Sequence, residues 1–424
     1  MFNYLFFSLF LFLFIAEIPR FSILPISPVF LFFLCYIFFF LQKKRFAMGG
    51  HETFRIFYFL LAFWFYQYTV DIWVAGDLLD LQLFVLIGIF AALIAFIGNA
   101  PDRVIGVVRI VGAVLMISMV WFFVETVVGH PLDIRLSLYE AVLEKYQYTA
   151  PVVFTSTNGL ASLTFLFGYH VAVAFPMHFM LFLTASTRKW KLLWFSALMF
   201  SIFALIFSAQ RSAFLGAIVS LPWFFYKIRR IKLLFFLVFV GTAGYTMVST
   251  MNETNVSRNL VAKFQDEGKT LEGKERLVLQ WIGLRIAFDN PLGLLLSRKD
   301  WETESYEYGA TYLEQGGTVI AVHNGYLGRI IGYGWAAGLL ILGCSWQIFL
   351  LLKKGLVWDR NSVFRQYVFI TGLSLISVLI HASFHNTSIF TFNPISLTML
   401  FLFSHAVRVA SLGTDAMVPD KTHG

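Results

Sequence analysis

The chain has 424 residues, 58% of them hydrophobic and only 13% charged, with a mean hydropathy of +0.75. A soluble domain carries about 25% charged residues, so this chain lacks the polar surface that a water-facing globule needs. Its net charge of +8 comes from Lys and Arg clustered in short loops between apolar runs, a pattern that sets membrane topology and argues against a nucleic-acid face.

Apolar runs near spanning length fall at 2–18, 21–41, 54–74, 81–99, 104–124, 158–184, 190–208, 211–226, 231–250, 324–352, 365–382 and 389–411. The expectation is an all-α polytopic membrane protein of about twelve transmembrane helices with a large, partly helical extracytoplasmic loop. The first run lacks a basic n-region and a small-residue cleavage site, so it reads as a retained helix and not as a removed signal peptide. The last run but two is expected to begin as a short interfacial helix before Gly332 and Gly334.

Alternate loops carry Lys43, Lys44, Arg45 and Arg55, then Arg103, then Arg188, Lys189 and Lys191. The series continues with Lys227, Arg229, Arg230 and Lys232, and ends with Lys353, Lys354, Arg360 and Arg365. The opposite loops hold Asp71, Asp77 and Asp80, the 125–157 segment and the 251–322 segment. By the positive-inside rule this alternation places both termini in the cytoplasm. The organisation is then helices one to nine over 1–250, the large outer loop over 251–322, helices ten to twelve over 323–411 and a cytoplasmic tail over 412–424.

Two outer loops are too long to be simple connectors. The 125–157 loop holds Glu125, His130, Asp133, Arg135, Glu140, Glu144 and Lys145. In the 251–322 loop, residues 274–289 form an amphipathic pattern: Leu277, Trp281, Leu284 and Phe288 repeat at helical spacing, and Asn290-Pro291 stops the run. Such a helix lies on the membrane surface or caps the bundle.

Three residues on the outer side carry possible chemistry. Arg211 opens a helix after the tight joint Ser208-Ala209-Gln210, Arg276 opens the loop helix, and His323 sits where the loop re-enters the membrane, followed by Asn324-Gly325. Guanidinium groups at the membrane boundary suit a pyrophosphate, and a histidine of near-neutral pKa suits proton abstraction from a hydroxyl. Plainer readings stand beside these: a boundary arginine that snorkels to headgroups, a solvated helix face, and a turn with a helix cap at Asn324. His170, His178, His381, His385 and His405 also lie in or near spanning runs, and His381 and His385, flanking an outer loop, are the best secondary candidates. Glu302, Glu304 and Glu307 among Trp301, Tyr306 and Tyr308 fit either a sugar-acceptor surface or an ordinary solvated loop. Cys35 and Cys344 lie apart in apolar runs, and with no Cys/His ligand cluster and no phosphate-binding glycine loop, no metal and no cofactor is expected.

Four segments in this order resemble the O-antigen ligase and O-antigen polymerase superfamily of bacterial envelope glycosyltransferases. They are the stretch 155–161, containing Asn158; Ser208-Ala209-Gln210-Arg211 with Leu215; Arg276 and Trp281 with Asp289-Asn290-Pro291-Leu292-Gly293; and His323-Asn324 followed after nine residues by Gly334. Ala337 departs from the ligase pattern, which usually repeats Gly there, and Gly338 follows one place later. The resemblance covers roughly residues 150–345. It implies a C-type glycosyltransferase fold and a metal-independent, inverting transfer of a glycan from undecaprenyl pyrophosphate to a hydroxyl acceptor at the periplasmic face of the bacterial inner membrane. The acceptor would be lipid A-core for a lipopolysaccharide ligase or a lipid-linked glycan for a polymerase, with protein as a third variant. Carried over by position, His323, Arg211 and Arg276 would be catalytic, and Asn158, Asn324 and Gln210 would support substrate binding. A secondary transporter of a small solute is the rival reading, but it favours ionisable residues at mid-membrane, whereas here the polar residues concentrate in outer loops. A structural scaffold in a polysaccharide export complex would leave the outer arginines and His323 unexplained.

Overall fold

In the computed structural model of the protein, the described residues are 7–9, 11–12, 15, 51–75, 88–90, 92–94, 96–128, 159, 161, 164–208, 211–227, 272–310, 314–315, 318–319, 322, 324–385, 387–391 and 393–415. They form helices α1 (His51–Ala75), α2 (Pro101–Val128), α3 (Thr164–Thr184), α4 (Arg188–Phe207) and α5 (Arg211–Lys227). Then follow α6 (Glu272–Asp289), α7 (Trp301–Glu307), a two-residue antiparallel ladder of β1 (Glu314–Gln315) and β2 (Thr318–Val319), α8 (Leu327–Gly355), α9 (Val363–Ala382) and α10 (Pro394–Asp415).

Six of these helices, α2, α3, α4, α8, α9 and α10, are long and apolar enough to cross a bilayer. The chain is therefore a helical, multi-pass membrane protein. α1 has the length, but Gln67 and Asp71 dilute its apolar run, and α5 is shorter and contains Pro222. The expected spans at 21–41 and 231–250 lie outside the described residues, and those at 2–18 and 81–99 are described only in part.

Local signals set the helix ends. Thr187 and Ser362 cap α4 and α9, their side chains accepting from Trp190 N (3.4 Å) and Arg365 N (3.2 Å). α10 opens on Pro394, with Asn393 Oδ1 accepting from Ser396 N at 3.0 Å. α3 and α10 form the centre of the bundle, with 83% and 89% of their apolar windows buried, whereas α4 (33%) and α8 (28%) turn most of theirs outward. α9 packs on α3, α5 and α10, and α8 packs on α1 and α6.

One end of the bundle is basic. It holds Arg103 at the start of α2, Arg188 and Lys189 at the start of α4, Lys353 and Lys354 at the end of α8, and Arg360 and Arg365 at the start of α9. The opposite end gathers the last turns of α2 and α9 with the first turns of α3, α5, α8 and α10. It departs from expectation in one respect. Glu125 was expected in a loop, but α2 runs on to Val128 and Glu125 lies in its last turns, 4% exposed. Its carboxylate accepts from Trp121 Nε1 (2.7 Å) and from Gly159 N (3.0 Å), which makes burial tolerable. The rest of that loop, 129–157, lies outside the described residues.

Some polar groups inside the bundle are matched across helices. His178 on α3 places Nδ1 2.7 Å from Ser201 Oγ on α4 and Nε2 2.8 Å from the Gly112 carbonyl on α2. Lipid supplies no alternative partner, so this histidine is a three-helix tie. His178→Leu is expected to destabilise the protein by about 1–2 kcal/mol, read as a lower thermal midpoint in detergent; an unchanged midpoint would remove the tie from the account.

Candidate functional site

The site is built at the end opposite the basic loops. α5 begins at Arg211, and the next residue, Ser212, meets the last turn of α9. Ser212 Oγ lies 2.9 Å from His381 Nδ1 and 2.8 Å from His385 Nε2. Spacing of four residues puts both imidazoles on one side of the chain, and their rings are 4.3 Å apart. The Ser212 hydroxyl has one proton. When it donates to one ring, the other ring must donate to the Ser212 oxygen, so the serine couples the protonation of the two histidines. Tyr169 on α3 stands edge-on to His381, with centroids 4.3 Å apart, and its phenol donates to the Thr387 carbonyl.

The re-entry of the large loop is seated on the same turn. Asn324 Oδ1 accepts from Tyr326 N (3.1 Å) and Leu327 N (3.0 Å), and so caps α8. Gly325 packs against the turn after α9: its N–H donates to the Ala382 carbonyl (3.4 Å), and Ser388 Oγ donates to its carbonyl (3.3 Å). A Cβ at Gly325 would stand 2.7 Å from the Thr387 carbonyl oxygen. Segments around Arg211 and around 324–325 thus converge on residues 381–388. Gly159, at φ +56°, packs on α2: a Cβ there would stand 2.7 Å from the Ser118 carbonyl oxygen, which excludes a side chain. Ser118 Oγ in turn lies 2.9 Å from Nδ1 of His170, the neighbour of Tyr169.

α6 is docked on α8 by main chain. α8 breaks at Gly334 (φ +78°, ψ −168°), as the glycines of the sequence led one to expect. The segment after α6 fills the break: Leu294 N donates to Ile331 O (2.9 Å), Leu295 N to Gly332 O (3.1 Å) and Trp335 N to Pro291 O (2.9 Å). Cβ atoms on Gly293 and Gly334 would come within 2.4 Å of Gly334 N and Pro291 O respectively. From there α6 runs back along α8, Ala287 bonding Trp335 Nε1 and Gly283 lying over Ile331, Leu327 and Val322. The start of α6, near Arg276, is the end of the helix farther from the Gly334 break.

Of the six site residues implied by the resemblance, Asn324 is the one whose side chain is described, its Oδ1 committed to the helix cap, while the secondary candidates His381 and His385 meet at Ser212. His323, Asn158 and Gln210 lie outside the described residues, as do the side chains of Arg211 and Arg276. The acidic stretch forms the short helix α7 and is not a solvated loop. Glu304, 5% exposed, is held by Lys299 Nζ at 2.8 Å and by Asn290 Nδ2 at 3.2 Å. Asp300 caps α7, and its bonds from Thr303 hold its carboxyl below the usual carboxylate range. Residues that sequence reasoning left unranked are Ser212, Tyr169 and Thr387; the available signal was the four-residue spacing of His381 and His385. Among the described residues, no group of three His, Cys, Asp or Glu side chains is placed to hold a metal ion.

No protein-family model matches this chain, and no curated protein matches it.

Two predictions follow from this geometry. Gly334 occupies a backbone region open essentially to glycine, so Gly334→Ala is expected to cost about 1–3 kcal/mol and to raise amide exchange at Leu294, Leu295 and Trp335; unaltered protection there would contradict the docking. The Tyr308 phenol donates to the Asp289 carboxylate, which pushes its pKa from 10.0 up to about 12. A raised folded pKa means that this bond supports the loop fully below pH 10 and is lost as pH climbs through about 12. Phenolate absorbance, compared between the protein and Tyr308→Phe, should show the missing phenol titrating near 12, not near 10.

Proposed function

We propose that the protein is a glycosyltransferase of the O-antigen ligase or polymerase type, with about twelve spans and a C-type fold, moving a glycan from undecaprenyl pyrophosphate to a hydroxyl acceptor at the periplasmic face of the inner membrane. The observation that carries the reading is the convergence on one turn, residues 381–388, of the helix start beside Arg211 and the loop re-entry beside His323. Polar groups gathered at one end of an otherwise apolar bundle suit a lipid-borne substrate whose reacting bond sits at the membrane boundary.

In this reading the acceptor oxygen attacks the anomeric carbon from the face opposite the pyrophosphate. The carbon–oxygen bond to the pyrophosphate breaks, inverting the centre, and the pyrophosphate leaves on the lipid. Arg211 and Arg276 neutralise its growing charge, His323 takes the hydroxyl proton, and no metal ion takes part. Ser212, His381 and His385 are positioning residues: they fix the first turn of α5 against the turn that also seats Asn324 and Gly325.

The test is reconstitution in lipid with a polyprenyl-pyrophosphate-linked oligosaccharide, with and without lipid A-core. A product ladder from donor alone means polymerase, and transfer only with lipid A-core means ligase. His323→Ala should lower turnover by about 10²–10⁴-fold with folding intact, and Ser212→Ala should lower it less, with Ser212→Thr restoring part of the loss. Donor left intact under both conditions would sink the proposal. The rival, a solute transporter, draws on one observation. Arg408, 7% exposed within α10, bonds Asn99 Oδ1 at 2.6 Å, while its Nε and Nη1 have no hydrogen-bond partner among the described residues. Solute flux in the same vesicles, abolished by Arg408→Gln, would favour that reading.

A further inference from the structure

α6 is apolar on two opposite sides. One side, Leu279, Ile282 and Ile286, is buried in the cluster that joins α6 to Val322, Leu327 and Ile331. The other side carries the stripe noted in the sequence, and it faces away from the protein: Leu277 is 65% exposed, Trp281 57%, Leu284 41% and Phe288 67%. A helix in water has one apolar face and one polar face. A second apolar face of this size needs a second non-aqueous neighbour.

The stripe does not end at α6. Leu292, 64% exposed, extends it past the helix end, and Phe288 meets Trp335 of α8 edge to face, with centroids 5.9 Å apart. Trp335 is 49% exposed and begins the outward row of α8 that continues with Leu339 (70%) and Leu342 (67%). α8 is a spanning helix with 28% of its apolar window buried, so this row meets lipid. The exposed face of α6 is therefore continuous with a lipid-facing surface. Arg285 sits 5.4 Å over the Trp281 ring, an amphipathic pair of the kind that settles at the headgroup level.

We propose that α6 is a membrane-embedded interfacial helix: its stripe at 277, 281, 284 and 288 dips into the phospholipid leaflet at the end of the bundle opposite the basic loops, and its other side clamps α8. The loop is thereby held at a set depth, and the Gly293–Gly334 contact transmits that depth to the break in α8. This inference rests on packing and exposure alone and is independent of the transferase reading.

The experiment uses the full chain, with Cys35 and Cys344 replaced by alanine and a single cysteine placed by Leu284→Cys, Phe288→Cys or Lys299→Cys. Each variant is spin-labelled and reconstituted in phosphatidylethanolamine–phosphatidylglycerol vesicles. Labels at 284 and 288 should favour collisions with oxygen over a water-soluble nickel complex, at about 5–10 Å below the phosphates, whereas the label at 299 should be nickel-accessible. Nickel access at 284 and 288 equal to that at 299 would place the stripe in water and overturn the proposal. Shielding from both reagents would overturn it too, because another part of the chain or a second copy would then cover the stripe. Where a labelled variant fails to fold, Trp281 decides. The fluorescence difference between the protein and Trp281→Phe should be strongly quenched by phospholipids brominated high on the acyl chain, and an unquenched difference would refute the insertion.

Discussion

Hydrocarbon offers no hydrogen-bond partner, and that constraint organises the molecule. It drives each apolar run into a helix, because only then are backbone donors and acceptors satisfied within the run. It also favours polar side chains in the bundle that find a partner, several of them on another helix. His178 does so on α2 and α4 together, and His170 with Ser118. The same requirement brings Ser212 to His381 and His385 and carries the Tyr169 phenol to the Thr387 carbonyl. Specificity in helix packing comes from these few bonds, since apolar contact with a neighbouring helix differs little from contact with lipid.

A break in a spanning helix violates that constraint unless something fills it. At Gly334 the filling is the chain after α6, whose amides and carbonyls replace the bonds that α8 loses between Ile331 and Trp335. The two glycines are the physical condition for this, since their backbones approach to distances at which any β-carbon collides. The large loop is thus a fixed part of the bundle where it follows α6. Below it, Glu304 bridges Lys299 and Asn290, so the turn that reaches Gly334 is held from the other side. A site assembled from separate segments depends on such fixed distances, because a small displacement of a positioning group lowers a rate steeply.

Part of the frame around the site was legible in the sequence as local pattern. The 274–289 helix, its stop at Asn290-Pro291 and the break near Gly334 were readable because each depends on neighbours a few residues away. The cap reading of Asn324 was also readable, for the same reason. Glu125 was misplaced: a carboxylate near the end of an apolar run reads as the start of a loop, and one of the two donors that make its burial tolerable, Gly159 N, lies 34 residues on. The stripe on α6 was correctly seen as apolar, yet its pattern alone left open which side faces the bundle. Packing settled this, because Leu279, Ile282 and Ile286 are buried against the α8 cluster while the stripe stays largely exposed.

By itself the sequence determined the medium of the protein and the course of most of its helices. Low charge, long apolar runs and capping residues act over single turns, and their energetics do not depend on the rest of the chain. Tertiary structure decided which polar residues meet. Ser212 and His381 are 169 residues apart, and Tyr169 and Thr387 are 218 apart. No local propensity links positions so distant; they are joined because helix packing brings them within reach, and burying a polar group without a partner costs free energy.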